Sequence, residues 1–149
     1  MEFIEFYLPM KESVKRLKDL FTFIADKKNE LIQIKDLEYI ILEEKDKFFT
    51  SYEFNNFWWP SKEESRLFWE ENQKLSVEAQ IQHIKSISWD FETVFSEIGQ
   101  GEYKIKGIIE QDNFTYRLYI DPISYPFGGI EILKGLLNIY GATVLKNSI

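Results

Sequence analysis

The chain has 149 residues, 44% of them hydrophobic and 29% charged, which is typical of one globular domain and sets aside the disordered, collagen-like and coiled-coil classes. It has no cysteine, which excludes disulfides, cysteine-based zinc sites and thiol nucleophiles. The formal net charge is −7 and the basic residues form no visible stripe, so we expect no binding of DNA or RNA.

The first third of the chain predicts a strand, a helix and a hairpin. Glu2 to Leu8 is a short apolar run ended by Pro9, which is typical of a strand. Apolar residues then recur at helical spacing until about Lys28; they are Val14, Leu17, Phe21 and Ile24. From 31 to 54 the runs LIQI, LEYIIL and FFTSYEF favour a β-hairpin, although the stretch from Tyr39 to Leu42 also fits the end of a helix.

The middle of the chain predicts helices after a break at Pro60. Ser61 and Glu64 form a capping-box pattern that begins a helix at about Lys62. On this helix Leu67, Phe68 and Leu75 form a narrow stripe, with Phe68 facing the core and Trp69 on its flank. More apolar residues follow at helical spacing, either in two helices separated near Ser88 or in one long bent helix that stops at Gly99; they are Val77, Ile81, Ile84, Ile87, Phe91, Val94, Phe95 and Ile98.

The last third has the clearest pattern in the chain. Two alternating runs, from Tyr103 to Glu110 and from Phe114 to Ile120, flank a turn at 111–113 and predict a β-hairpin. A helix follows that ends at Gly141; its buried side holds Ile130, Leu133, Leu136, Leu137 and Tyr140. The stretch 142–145 then predicts a closing strand.

Together these elements predict a single α+β domain over residues 1–149. Its antiparallel sheet contains the N-terminal strand, the middle hairpin, the C-terminal hairpin and the last strand, packed by four to five helices in a single layer. The N-terminus carries Glu2 and Glu5 where a signal peptide has basic residues, and the apolar runs are short. We therefore expect a cytoplasmic protein with no membrane segment.

The end of the chain resembles a family of small uncharacterised bacterial proteins. The resemblance covers about residues 114–145, as a strand, a DPxxYPFGG segment, a helix, a glycine and a strand. It is carried by Asp121, Pro122, Tyr125, Pro126, Phe127, Gly128, Gly129 and Gly141. The resemblance implies an α+β fold but no reaction, because that family has no established activity, so no catalytic residue is carried over.

Catalytic and metal chemistry find little support in the sequence. His83 is the only histidine, so a conventional zinc site would lack the ligands that it needs. We expect His83 to be a structural residue. No serine lies in a nucleophile-elbow pattern, and Gly128-Gly129 lacks the spacing of a phosphate-binding loop and indicates a turn. Paired carboxylates can run glycoside hydrolysis, but the chain is short for such an enzyme. We therefore expect no catalytic activity, no cofactor and no metal.

Residues 54–71, FNNFWWPSKEESRLFWEE, hold three of the four tryptophans, four glutamates and only two cations. Large apolar rings beside carboxylates describe either a core edge or an acidic contact surface. On the second interpretation the partner-binding residues are Trp58, Trp59, Trp69, Glu63, Glu70 and Glu71. For the glutamates alone, a solvated helix face that keeps the protein soluble is the alternative.

The leading hypothesis for function is a non-enzymatic protein-binding module whose acidic, tryptophan-bearing surface meets a basic partner protein. Immunity proteins, which inhibit toxins, are small acidic proteins of this kind. The alternative is a small-ligand or carbohydrate-binding domain in which Trp58, Trp59 and Tyr52 form a stacking wall. Homo-oligomerisation through the same rings is a third possibility, because exposed aromatic patches commonly mark self-association.

Overall fold

The computed structural model describes residues 1–29, 31–123 and 129–148. Its four strands are β1 (Glu2–Tyr7), β2 (Tyr103–Asp112), β3 (Thr115–Pro122) and β4 (Thr143–Asn147). The helices in these residues are α1 (Lys11–Lys28), α2 (Leu37–Glu43), α3 (Lys45–Phe48), α4 (Ser51–Asn55), α5 (Lys62–Gln73), α6 (Val77–Lys85), α7 (Phe91–Gln100) and α8 (Ile130–Ile139). The fold is α+β, as predicted.

The strands form one antiparallel sheet in the order β2-β3-β1-β4. Side chains alternate across it, so Ile4 and Phe6 of β1 are buried beside Leu118 of β3. On the opposite face Arg117 donates to Glu5 at 2.9 Å. The N-terminal strand and the C-terminal hairpin are thus confirmed, and the core lies against one face of the sheet.

An aromatic cluster forms the centre of the core above the sheet. Phe49 lies at its middle, with ring centroids 5.3 to 6.2 Å from five other rings; these belong to Phe54, Phe57, Phe91, Phe95 and Tyr140. The Tyr140 hydroxyl donates to the Phe48 carbonyl at 2.6 Å, so this polar group is satisfied inside the cluster. The core therefore joins α3, α4, α7 and α8.

The predicted middle hairpin is wrong, because residues 37–55 form three short helices. Leu37 and Ile41 are four residues apart and both are fully buried, and α2 packs against α7. The contact with α7 therefore favours a helix over a strand in this segment. α4 begins with a capping box in which the Thr50 hydroxyl accepts from the Glu53 amide at 3.1 Å. These three helices bring the number in the described residues to eight, rather than the four or five predicted.

Most other predictions for the helices agree more closely with the structure. The predicted capping box at Ser61 and Glu64 is present at the start of α5. Of the two alternatives for the segment that follows, the structure has two separate helices, α6 and α7, and not one bent helix. Gly141 follows α8 with a φ of 88°, as a helix-ending glycine should. Gly99 is not a stop: α7 continues to Gln100, and a Cβ at Gly99 would lie 2.7 Å from the Ile34 carbonyl oxygen.

The turn of the C-terminal hairpin consists of residues 113–114 rather than the predicted 111–113. Asn113 and Phe114 occupy it with φ of 35° and 64°, the left-handed conformation that two-residue hairpin turns require. Of the segment that resembles the bacterial family, Tyr125, Pro126, Phe127 and Gly128 lie outside the described residues. The expected turn at Gly128-Gly129 is therefore described only at Gly129, which precedes α8 with a φ of 87°.

Candidate functional site

Trp59 lies at the surface with one face of its ring packed on the aromatic core. The ring stacks on Phe91 at 5.7 Å and 22°, and its Nε1 donates to the Phe54 carbonyl at 2.9 Å. Even so, 48% of the residue is exposed. Because stacking and hydrogen bonding fix the indole, little side-chain entropy remains to be lost if the open face meets a partner.

Phe68 of α5 brings two further tryptophans together. Its ring is 5.3 Å from that of Trp58 and 5.0 Å from that of Trp69, the latter edge to face. Trp58 is half-buried, whereas Trp69 is 40% exposed. The structure thus places Trp59 and Trp69 at the surface and Trp58 beneath it, so the segment is not simply a core edge.

Arg66 pairs with two of the predicted glutamates of α5. Its guanidinium donates to Glu63 on one side and to Glu70, at 2.7 Å, on the other. These hydrogen bonds raise the pKa of Arg66. Within the described residues Glu71 forms no ion pair. Of the three predicted glutamates, Glu71 is therefore the one that is not already paired with Arg66.

The predicted apolar stripe of α5 does not face the core. Leu67 and Leu75 are exposed, and only Phe68 of the three is half-buried. The buried residue of α5 is Asn72, whose Oδ1 lies 3.2 Å from Nδ1 of His83 on α6. The contact between the two helices is thus partly polar, and the leucines are left at the surface.

α6 also presents its apolar residues to solvent. Val77 is 74% exposed, Ile81 48% and Ile84 43%, and no residue of the helix is buried. The side that faces α5 holds His83, whose ring stacks on Phe68 at 4.0 Å and 17°. His83 is therefore half-buried between the two helices, in contact with Phe68 and Asn72. α5 and α6 form a hairpin, which we call the arm (residues 62–85), with its apolar side chains on the outside.

Trp89 is a surface tryptophan that was not among the predicted partner-binding residues. It is 40% exposed, and its carbonyl accepts from the Trp58 amide at 2.9 Å. A Cβ at Gly135 of α8 would lie 2.1 Å from Trp89 Cδ1, so the indole lies directly on the helix backbone. The sequence signal for Trp89 was its position directly before Asp90, which is the N-cap of α7. There the chain passes over the surface.

Tryptophan does not line the clefts of about 570 and 310 Å³ that lie among the described residues. Trp58 contacts Phe68 while Trp59 contacts Phe54 and Phe91, so the two indoles pack on different neighbours. In the described part of the chain, no three metal-binding side chains cluster, and no helix is both long and apolar enough to cross a bilayer.

No family model, curated protein or solved structure matches the chain.

Proposed function

We propose that the protein is a non-enzymatic protein-binding module that contacts its partner through a tryptophan patch, defined as Trp59, Trp69 and Glu71. The observation that carries the proposal is the state of Trp59: its indole is fixed by a hydrogen bond and by stacking on the core, yet half of the residue is exposed. Rigid, partly buried tryptophans are over-represented among residues that dominate binding energy.

We propose further that the partner is a basic protein. The chain has a net charge of −7, and a field of this sign raises the association rate of a cationic protein. Arg66 pairs with both Glu63 and Glu70, which leaves Glu71 as the predicted glutamate with no ion pair among the described residues and so the one that is free to pair with a cation of the partner. Charge then controls how fast the complex forms, whereas the indoles control how long it lasts. An immunity-type inhibitory role stays a prediction.

The test is capture of proteins from an extract of the source organism on immobilised wild type and variants. Trp69→Ala and Glu71→Lys change exposed residues of the patch, and Tyr39→Ala and Glu43→Lys are matched changes of exposed residues outside it. We expect a basic protein retained by wild type and both controls. Trp69→Ala lowers its retention about tenfold or more, and Glu71→Lys lowers the association rate at about 50 mM salt but little at about 300 mM.

The proposal fails if the retained protein binds Trp69→Ala and the Tyr39→Ala control equally well. It also fails if the retained protein is acidic, or if Glu71→Lys weakens binding to the same extent at both salt concentrations. Circular dichroism of each variant separates loss of binding from loss of fold. A tryptophan fluorescence shift on adding oligosaccharides would favour the carbohydrate-binding alternative instead.

A further inference from the structure

The outward face of α6 carries an apolar stripe, which we define as Val77, Ile81 and Ile84. These residues are four and three positions apart, the spacing of the seam positions in a coiled coil. All three are exposed, while His83 on the opposite side of the helix stacks on Phe68 of α5. An amphipathic helix normally buries its apolar stripe, so here the orientation is reversed.

Two opposite charges flank this stripe on one side. Glu78 and Lys85 are seven residues apart, which places them within about 20° of each other around the helix axis. Glu78 lies in the first turn of α6 and Lys85 in the last. Within the described residues neither side chain forms an ion pair. The stripe therefore has an acidic end and a basic end on the same flank.

This pattern is complementary to itself when the helix is reversed. A two-fold axis through Ile81 places each residue before it opposite the residue equally far after it on the other copy. Glu78 lies three residues before Ile81 and Lys85 lies four after it, so the two charges come within one residue of each other, about 1.5 Å along the helix, and this pair forms twice. Val77 and Ile84 are offset by the same one residue and still contact each other, and the two Ile81 side chains meet at the axis. A parallel arrangement brings like charges to the same end and gains neither pair.

We propose that α6 pairs antiparallel with α6 of a second copy, so that the outward face of α6 is the dimer interface. This goes beyond the proposed function, since it uses α6 rather than the tryptophan patch. A nine-residue helix is about 14 Å long, which is short for a standard interface. The dimer is accordingly weak, with a dissociation constant on the order of 10–100 µM.

Sedimentation velocity tests the pairing between about 10 µM and 1 mM protein, a range that brackets this constant. The wild-type mass should rise from 17.9 kDa toward twice that value. Ile81→Gln, an exposed change at the axis, should weaken dimerisation at least about tenfold because both copies lose the residue. Ile109→Gln, an equally exposed change on β2, is the matched control and should dimerise as wild type.

Charge reversal tests the antiparallel orientation. Glu78→Lys or Lys85→Glu alone places like charges opposite each other and should weaken the dimer about two- to fivefold. The double variant restores the pairs in exchanged positions and should recover most of the wild-type affinity. Failure of the double variant to recover would refute the antiparallel pairing, and circular dichroism verifies that each variant keeps its helices.

A wild-type protein that stays monomeric at about 1 mM overturns the proposal, given the affinity expected for such an interface. If Ile81→Gln then also abolishes capture of the basic partner, α6 is part of the partner-binding surface instead. Trp69→Ala gives the converse test, in which the partner-binding surface is changed and dimerisation is measured. It should lower capture of the partner and leave dimerisation unchanged, so either proposal can fail while the other stands.

Discussion

Lys28 lies at the end of α1 and is buried, with only 1% of the residue exposed. Its ammonium donates to the carbonyls of Ile98 at 2.7 Å and Gly101 at 2.9 Å, where α7 ends, and lies 4.3 Å from the centre of the Tyr103 ring. These contacts hold the charged form in place at the negative end of a helix. Burial nevertheless lowers the pKa of Lys28 to about 8.

This shift makes stability depend on pH in a defined direction. In the unfolded chain a lysine has a pKa of about 10.4, so between about pH 8 and pH 10.4 the unfolded state binds more protons than the folded state. The free energy of unfolding therefore rises with pH in this window. Each pKa unit corresponds to about 1.4 kcal/mol, so the rise from about pH 7 to pH 9.5 amounts to about 2 kcal/mol.

Lys28→Met is the variant that isolates this effect. Methionine keeps the length and apolar character of the side chain but does not titrate, so its free energy of unfolding lacks the rise. Urea unfolding followed by circular dichroism gives both curves, and their difference cancels the groups that the two proteins share. Tyr103 and Tyr140 set the upper limit, because burial raises the pKa of both hydroxyls and so lowers stability above about pH 10.

The expected result is a difference between wild type and Lys28→Met that changes by about 2 kcal/mol over this range, in favour of wild type at the higher pH. Parallel curves would show that Lys28 keeps its ordinary pKa in the folded state. The hydrogen bonds to Ile98 and Gly101 would then fully offset the cost of burial.

Two other predictions concern the packing around the core. Arg16 donates to both carboxylate oxygens of buried Glu53 at 2.9 and 2.8 Å; burial acts to raise the pKa of Glu53, but the bonds from Arg16 and Thr50 hold it below its ordinary value. Glu53→Gln should therefore cost about 3 kcal/mol at neutral pH. That cost should shrink as pH falls below the unfolded pKa of about 4.3; a cost that persists unchanged in acid urea titrations would contradict this. Gly135→Ala should displace the Trp89 indole, which a new Cβ would meet at 2.1 Å, and destabilise the protein by about 1–3 kcal/mol. Tryptophan fluorescence reports the displacement, and an unshifted spectrum with unchanged stability would refute it.

The sequence predicted elements best where local chemistry and packing agree. The C-terminal hairpin follows from its alternation, and α5 begins at Ser61 because a capping box satisfies two backbone amides locally. For residues 31–54 the apolar runs fit both the helical and the strand period. There the burial of Leu37 and Ile41 against α7 decided the outcome, and no local pattern contains that contact.

The site shows the same division. That tryptophans and glutamates are concentrated in residues 54–71 is a property of the sequence, and so is the amphipathic spacing of α6. Which face of a helix meets the core is settled only by tertiary structure. In the arm, Phe68 and Asn72 turn toward His83 and the apolar stripe turns outward. Likewise only the fold shows that Trp59 is anchored on Phe91 and that Arg66 pairs with both Glu63 and Glu70. Periodicity gives the angle between side chains around a helix, whereas burial depends on which neighbours the rest of the chain provides.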